Sequence, residues 1–214
     1  MINDEKILLK NASQGDIEAF EQLVESCAKK VYNIAYRLMG NYDDANDMAQ
    51  EAFIKMYKNI HKFKGESSFS TWAYRVVTNT CLDELRKRKR HRFVSADVND
   101  ENGLARMAHS QIADIGNSPE DVFEKKQIAQ QISSSLDVLK SKQKSIIVLR
   151  DIEGLSYKEI ANILRIPEGS VKSSLNRARA ALRNILKSKG VELFDLNYVK
   201  QNEGRVNDEK LQQH

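Results

Sequence analysis

Cysteine is scarce in this chain. Cys27 and Cys81 are the only two in 214 residues, which excludes a disulfide framework and any CxxC metal or redox motif. Each falls on an apolar helix face by its spacing, the signature of a buried structural thiol rather than a redox sensor. Proline is as rare, with Pro119 and Pro167 alone. No apolar run is longer than Ile146 to Leu149, far short of the roughly 20 residues that a membrane-crossing helix needs. The opening MINDEKILLK lacks a basic start followed by an apolar core, so no signal peptide is expected. These absences predict a soluble cytoplasmic protein without direct membrane insertion. Catalytic chemistry is missing as well. His61, His91, His109 and His214 lie far apart without metal-ligand spacing, and neither a Gly-rich phosphate loop nor a paired-carboxylate site stands out. The expectation is a non-enzyme with no cofactor and no metal.

What the chain has in abundance is helical periodicity. Phe20, Leu23, Val24, Cys27, Val31, Ile34, Ala35 and Leu38 recur at the helical repeat and stop at Gly40, predicting one amphipathic helix over about 16–39. Ala45, Met48, Ala49, Ala52, Phe53, Met56 and Ile60 repeat the pattern over about 43–60, with Asp43 and Asp44 where carboxylates suit the helix dipole. Phe69, Ala73, Val76, Val77, Cys81 and Leu85 form a third stripe, with Ser67, Ser68 and Ser70 as candidate caps. No stretch alternates as a strand does. Residues 1–94 therefore read as an all-helical bundle.

Between Ser95 and Asp121 the periodicity disappears, and six acidic residues stand against the single base Arg106. This segment, 95–121, is the linker, and at roughly 3.3 Å per residue it reaches about 85 Å when extended. Past it, Ile128, Ile132, Leu136 and Leu139 make another stripe, and Ser141 is expected to cap a run through Ile146, Val148, Leu149 and Ile152 that ends at Gly154. The second domain spans 122–188, and the polar tail 189–214 is expected to fray. The fold class expected is all-α: two helical domains joined by a flexible acidic linker, the second a helix-turn-helix domain of four helices.

Pro167 explains that last assignment. Ser156 with Glu159 three residues on is a capping box, and Ile160, Ala161, Ile163 and Leu164 give a short helix its buried side. Proline disfavours helical geometry at Ile166, so the helix stops and Pro-Glu-Gly turns the chain into a longer helix, buried through Val171, Leu175, Ala178, Leu182 and Ile185. A short helix, a tight turn and a second helix with a basic outer face is the arrangement that reads a DNA major groove. On that face Ser170, Lys172, Ser173, Ser174, Asn176, Arg177, Arg179 and Arg183 offer donors to phosphates and base edges. Helical hairpins with a proline turn are common, so this segment by itself leaves a solvated basic face open as the alternative.

Net charge is only +4, but its distribution is uneven. Leu85 is followed by RKRKRHR, which crowds Arg86, Lys87, Arg88, Lys89, Arg90 and Arg92 together. About six phosphate contacts there would cost roughly a thousandfold in affinity between 50 and 200 mM salt. Arg75, Asn79, Asp83 and Arg86 line the polar face of the same helix, and Phe63, Phe69, Trp72 and Tyr74 cluster nearby. Aromatics beside a basic track stack unpaired bases, which suggests a reader of single-stranded or melted DNA. Core aromatics and a basic helix end that complements the dipole are the competing reading. On the second helix Asp44, Asp47, Gln50, Glu51 and Lys55 face away from Met48, Ala52 and Met56. That face is either solvated or a dock for a basic protein partner.

The stretch DDANDMAQEAFIKMYKNIHKFKGESSFSTWAYRVVTNTCLDELRKRKR, then a linker, then GLSYKEIANILRIPEGSVKSSLNRARAALR, resembles a bacterial sigma factor of the extracytoplasmic-function (ECF) type, over about residues 5–187. The resemblance implies that the first domain docks on the clamp of the largest core RNA polymerase subunit through a D-A-x-D-x-x-Q-E pattern, here Asp44, Ala45, Asp47, Gln50 and Glu51. It implies that the same domain opens the −10 element and captures bases along Phe69, Trp72, Arg75, Asn79, Asp83 and Arg86, with Lys87, Arg88 and Arg90 in the adjoining basic run. Reading of the −35 element falls to Lys172, Ser173, Ser174 and Arg177, flanked by Ser170 and Arg179, on a domain that also touches the flap of the second-largest subunit. Promoter DNA is the nucleic-acid partner, and a regulatory anti-sigma factor, membrane-anchored in many members, is the protein partner implied. Asn46 and Ser174 depart from the family, where an acidic residue and an arginine are common. Serine is a short, permissive contact, so the −35 sequence does not follow from it. The alternatives from the residues themselves are a stand-alone helix-turn-helix regulator and a nucleic-acid-binding adaptor without sequence preference, both independent of polymerase.

Overall fold

The computed structural model describes residues 2–95 and 130–190. The expected linker, apart from Ser95, and the tail beyond Gly190 lie outside these residues, as does Ile128. The first four helices are α1 (Ile2–Ser13), α2 (Ile17–Met39), α3 (Tyr42–Asn59, extended by a 3-10 turn, Ile60–Lys62) and α4 (Phe69–Ser95). Four more follow: α5 over 130–138, α6 (Ser141–Ile147), which runs into a π-helical turn (Val148–Ile152), α7 (Tyr157–Leu164) and α8 (Glu168–Ser188). There is no strand among the described residues.

Local chemistry sets the helix ends. Asp16 caps α2 by accepting from the Ala19 N–H at 3.0 Å, and Gly40 ends it at φ 84°, donating to Tyr36 O. The positive φ is what favours glycine here; a Cβ on Gly40 would also lie 3.2 Å from an Asp137 carboxylate oxygen, which would have to shift by a few tenths of an ångström. Asn41 caps α3 through the Asp44 N–H (2.9 Å), and Ser68 caps α4 through the Thr71 N–H (3.2 Å). A second group at the start of α4 is less local: Glu5 of α1 accepts from the Phe69 N–H at 3.1 Å. Ser141 does not cap α6. It is the first helical residue, after Lys140, which makes no side-chain cap.

The capping box at α7 forms as expected, with Ser156 Oγ accepting from the Glu159 N–H and Glu159 accepting from the Ser156 N–H. The stop of α7 comes earlier than Pro167 alone requires. Arg165 adopts φ 53°, the left-handed region, and its N–H closes on Ala161 O. Pro167 then takes the N-cap position of α8, where its missing N–H costs nothing.

Two packed layers result. Val31, Ile34 and Leu38 of α2 meet Met56 of α3 and Phe69 and Val77 of α4, while Ile146, Leu149, Ile160, Ile163, Val171 and Leu175 fill the second set of helices, all at or near zero exposure. Each such side chain contributes about 1.5–3 kcal/mol of burial. The two cores join into one cluster, because α6 packs on α2 and α4 and α7 packs along α4. The α4 stripe of Phe69, Ala73, Val77 and Cys81 lies within this joint cluster, and Cys81 is close to Lys144 of α6 as well as to Glu51 and Lys55 of α3.

Candidate nucleic-acid interface

Three surfaces carry the residues singled out from sequence. On α3, Asp47, Gln50 and Glu51 are exposed side by side, and Lys55 pairs with Glu51 at 2.7 Å. Asp44 differs. Its carboxylate takes two hydrogen bonds from the Arg88 guanidinium, at 2.5 and 2.8 Å, plus one from Asn41, and its side chain is 17% exposed. Ile54, one turn beyond Gln50 and Glu51, is 54% exposed and extends the acidic face with an apolar patch. Sequence reading passed it over, although it lies off the buried stripe of Met48, Ala52 and Met56.

On α4, Arg75 and Asn79 are half-buried and Asp83 and Arg86 exposed, the last two joined at 2.6 Å. Of the basic run, Lys87, Lys89 and Arg90 are exposed, but Arg88 is bound to both Asp44 and Glu84, and its hydrogen bond to Asp44 leads in raising its pKa. Phe69 and Trp72 present no ring to solvent, at 1% and 7% exposure. With Phe63 they form a three-ring cluster with centroids 5.5–6.3 Å apart. Phe63 is the half-buried member, and it borders a cleft of about 290 Å³ lined also by Lys6, Lys10, Ser13, His61 and Lys64. The cleft is basic and brings α1 to the loop before α4. Only the lysine-rich composition of HKFKG hinted at it, since α1 is joined to that loop by tertiary packing.

On α8, Lys172, Ser173, Asn176, Arg177 and Arg183 are exposed, and Ser170 and Ser174 are half-buried. Arg177 folds back on its own helix, toward Ser173 O and Ser174 Oγ at 3.4 Å each. Arg179 does not belong to the open face. Its guanidinium grips Asp151 of the π turn through both carboxylate oxygens, one of them at 2.9 Å. α8 is thereby tied to the helix before the hairpin, while Lys172, Ser173, Asn176 and Arg183 stay exposed.

Family models describing sigma-70 region 2 and sigma-70 region 4 match residues 23–91 and 129–182. The ECF RNA polymerase sigma factor SigW of Bacillus subtilis (strain 168) is 40% identical over 179 residues, which is 84% of this chain and 95% of that protein. The chain belongs to the ECF RNA polymerase sigma factors. The ECF sigma-E factor of Escherichia coli (strain K12) is 34% identical over 180 residues, 84% of this sigma factor and 93% of that one. Among solved structures, the sigma factor RpoE in complex with the anti-sigma factor NepR from Bartonella quintana shares the fold at TM-score 0.60 and 24% identity, covering 80% of this chain and 98% of that one. CnrH in complex with the cytosolic domain of CnrY aligns at TM-score 0.58 and 25% identity, over 86% and 98%.

As a sigma factor the chain is a transcription initiation factor. No helix among the described residues is long and apolar enough to cross a membrane, and no group of metal-binding side chains occurs among them. Burial pushes the Cys27 thiol up to about 11 and the Cys81 thiol to about 12, so neither has thiolate character near neutral pH.

Proposed function

We propose that Asp47, Gln50, Glu51 and Ile54 of α3 form the dock for the clamp of core RNA polymerase. The exposed face of α8 then reads the −35 element, and α4 with the basic cleft beside Phe63 holds the opened −10 strand. The observation that carries this reading is the separation of the faces: acidic with an apolar patch on α3, basic and polar on α4 and α8. One chain can hold polymerase and DNA together without either competing for the other's surface. Two weak DNA contacts become strong by linkage once both domains sit on one polymerase. In this reading Phe69 and Trp72 support the loop that carries Phe63, Asp44 and Arg88 brace α3 against α4, and Arg179 braces α8. Lys172, Ser173, Asn176 and Arg177 make the groove contacts. An anti-sigma factor is the regulatory partner, as in the complex of the structurally similar RpoE.

The experiment is fluorescence anisotropy of the labelled chain with core RNA polymerase at about 150 mM salt, without DNA, competed by another sigma factor. Saturable, competed binding is expected, and Asp47→Lys with Glu51→Lys should abolish it with helicity intact. Binding to duplex DNA in place of polymerase would favour a stand-alone regulator.

A further inference from the structure

Arg165 stands in a backbone conformation that its side chain opposes. Among the described residues five other positions have a positive φ, and all five are glycines: Gly15, Gly40, Gly65, Gly154 and Gly190. Arg165, at φ 53° and ψ 50°, is the exception. A left-handed residue crowds its Cβ against the following carbonyl, which is why helices that end this way use glycine or asparagine there. The turn itself needs no side chain. The N–H groups of Arg165 and Ile166 both close on Ala161 O, the latter at 3.1 Å, and glycine would make the same two bonds. Nothing within the described residues offsets the strain. Arg150 and Arg179 of the same domain are held, one by Leu155 O at 2.7 Å and the other by Asp151. Arg165 is exposed, and its guanidinium has neither a hydrogen-bond partner nor a carboxylate among the described residues. A strained residue without an internal contact points to a contact outside the chain.

Its place in the fold says which contact. Arg165 is the C-cap of α7, and Pro167 already caps α8. In a helix-turn-helix the first helix crosses the DNA backbone while the second enters the groove with its N-terminal residues. At about 100° per residue Lys158, Asn162 and Arg165 lie within about 60° of one another on α7, opposite the buried Ile160 and Ile163, and all three are exposed. The one carboxylate of α7, Glu159, is turned into its capping box with Ser156 and toward Thr71 of α4. Glu168, exposed in the first turn of α8, is the only acidic residue between Asn162 and Lys172. A cation at Arg165 offsets it where DNA would approach. The left-handed φ also re-aims the arginine, since relative to a helical φ of about −63° it turns Cβ by about 115° around the N–Cα bond.

We propose that Arg165 is a phosphate clamp: with Lys158 and Asn162 it grips the sugar–phosphate backbone beside the −35 element and sets the angle at which α8 enters the groove. This rests on the assignment of α8 to the −35 element. The chain accepts a less stable turn in order to place a cation that no group of its own uses.

The test sets stability against binding in the full chain. Arg165→Gly relieves the backbone and removes the charge, Arg165→Ala removes the charge alone, and Arg165→Lys keeps both strain and charge. Calorimetry should show Tm raised by about 2–4 °C in Arg165→Gly and little changed in the other two. Binding is measured as holoenzyme on a duplex that the parent holoenzyme enriches from a randomised pool. Arg165→Gly and Arg165→Ala should both weaken it about three- to tenfold at about 150 mM salt, with the slope against log salt shallower by about 0.9, and Arg165→Lys should stay close to the parent. The same factor should be lost on a duplex with its −35 element scrambled, since phosphates carry no sequence. Unchanged affinity and slope in Arg165→Ala would overturn the clamp. So would a Tm that falls in Arg165→Gly, which would make the side chain part of the fold, or a loss confined to the unscrambled duplex, which would make it a base reader. Lys172→Ala with Arg177→Ala separates the two layers. Binding that survives this pair as well takes α8 off the DNA and the clamp with it, whereas binding lost here but kept in Arg165→Ala removes the clamp alone.

Discussion

Replacing Arg88 by alanine separates bracing from DNA contact in the basic run. Its guanidinium makes two hydrogen bonds to Asp44 and one to Glu84, with side-chain exposures of 38%, 17% and 23% for the three residues. Exposed pairs measure about 0.2–1 kcal/mol, and breaking a fully buried pair costs about 3–5. A half-exposed arginine in a bidentate pair falls between, and Asp44 keeps its bond from Asn41 afterward, so we expect a loss of about 1.5 kcal/mol. For a chain of this size that is a fall of roughly 3–6 °C in Tm. Calorimetry of Arg88→Ala, Asp44→Ala and the double variant gives the coupling, expected at about 1 kcal/mol or more. Arg90→Ala, at an exposed position, is the contrast: unchanged Tm, with weaker salt-dependent binding of melted DNA. Additive losses in the cycle, or an Arg88→Ala chain of normal stability that fails only on DNA, would refute the bracing argument.

Ile54→Asp should leave stability within about 0.5 kcal/mol, as exposed positions do, yet weaken polymerase binding by about tenfold or more in anisotropy; unchanged binding would move the dock elsewhere. Lys6→Glu with Lys10→Glu should weaken binding of holoenzyme to a forked −10 probe and flatten its salt dependence, each lysine that meets a phosphate accounting for about 0.7 in slope on a single strand. An unaltered slope would remove the cleft from the DNA path. Alkali should destabilise the fold: burial raises Cys27 from 9.0 to about 11 and Cys81 from 9.0 to about 12. Above pH 9 the unfolded thiols release protons that the folded chain keeps, so stability is lost as pH rises. The urea midpoint should drop between about pH 8.5 and 10.5, and less so in Cys27→Ala with Cys81→Ala; a flat profile in the parent chain would contradict the burial.

Periodic features were legible from the sequence because they are local. The α2 stripe ending at Gly40, the capping box of Ser156 and Glu159, and the turn at Pro167 each need only a few neighbouring residues to specify them. Features that join distant segments left no such mark. Glu5 caps a helix 64 residues away, and Arg88 reaches Asp44 across 44; both read locally as surface charges on their own helices. The α4 stripe was legible as a buried face but not in its partners: a helix covered on two sides has a wide apolar arc, and periodicity cannot say which neighbour covers which part. Trp72 carries the same ambiguity, since an aromatic next to polar residues fits a core edge as well as a base-stacking platform, and its 7% exposure was not readable from spacing. Arg165 in left-handed geometry had no residue signal, because glycine or asparagine would be the expected occupant.

The length of α4 has a consequence for where transcription begins. Its 27 residues make a rod of about 40 Å, anchored at one end by the ring cluster of Phe63, Phe69 and Trp72 and bolted near the other by Arg88 to the start of α3. A rod fixed at both ends behaves as a ruler. In the proposed holoenzyme, the polymerase gripping α3 and the strand lying along α4 are therefore held in one register, set by covalent spacing rather than by the strength of any single contact. On that proposal, substitutions that change only how tightly this sigma factor binds should leave the start point where it is, whereas inserting or deleting a residue between Trp72 and Arg88 should rotate the basic end by about 100° and displace it.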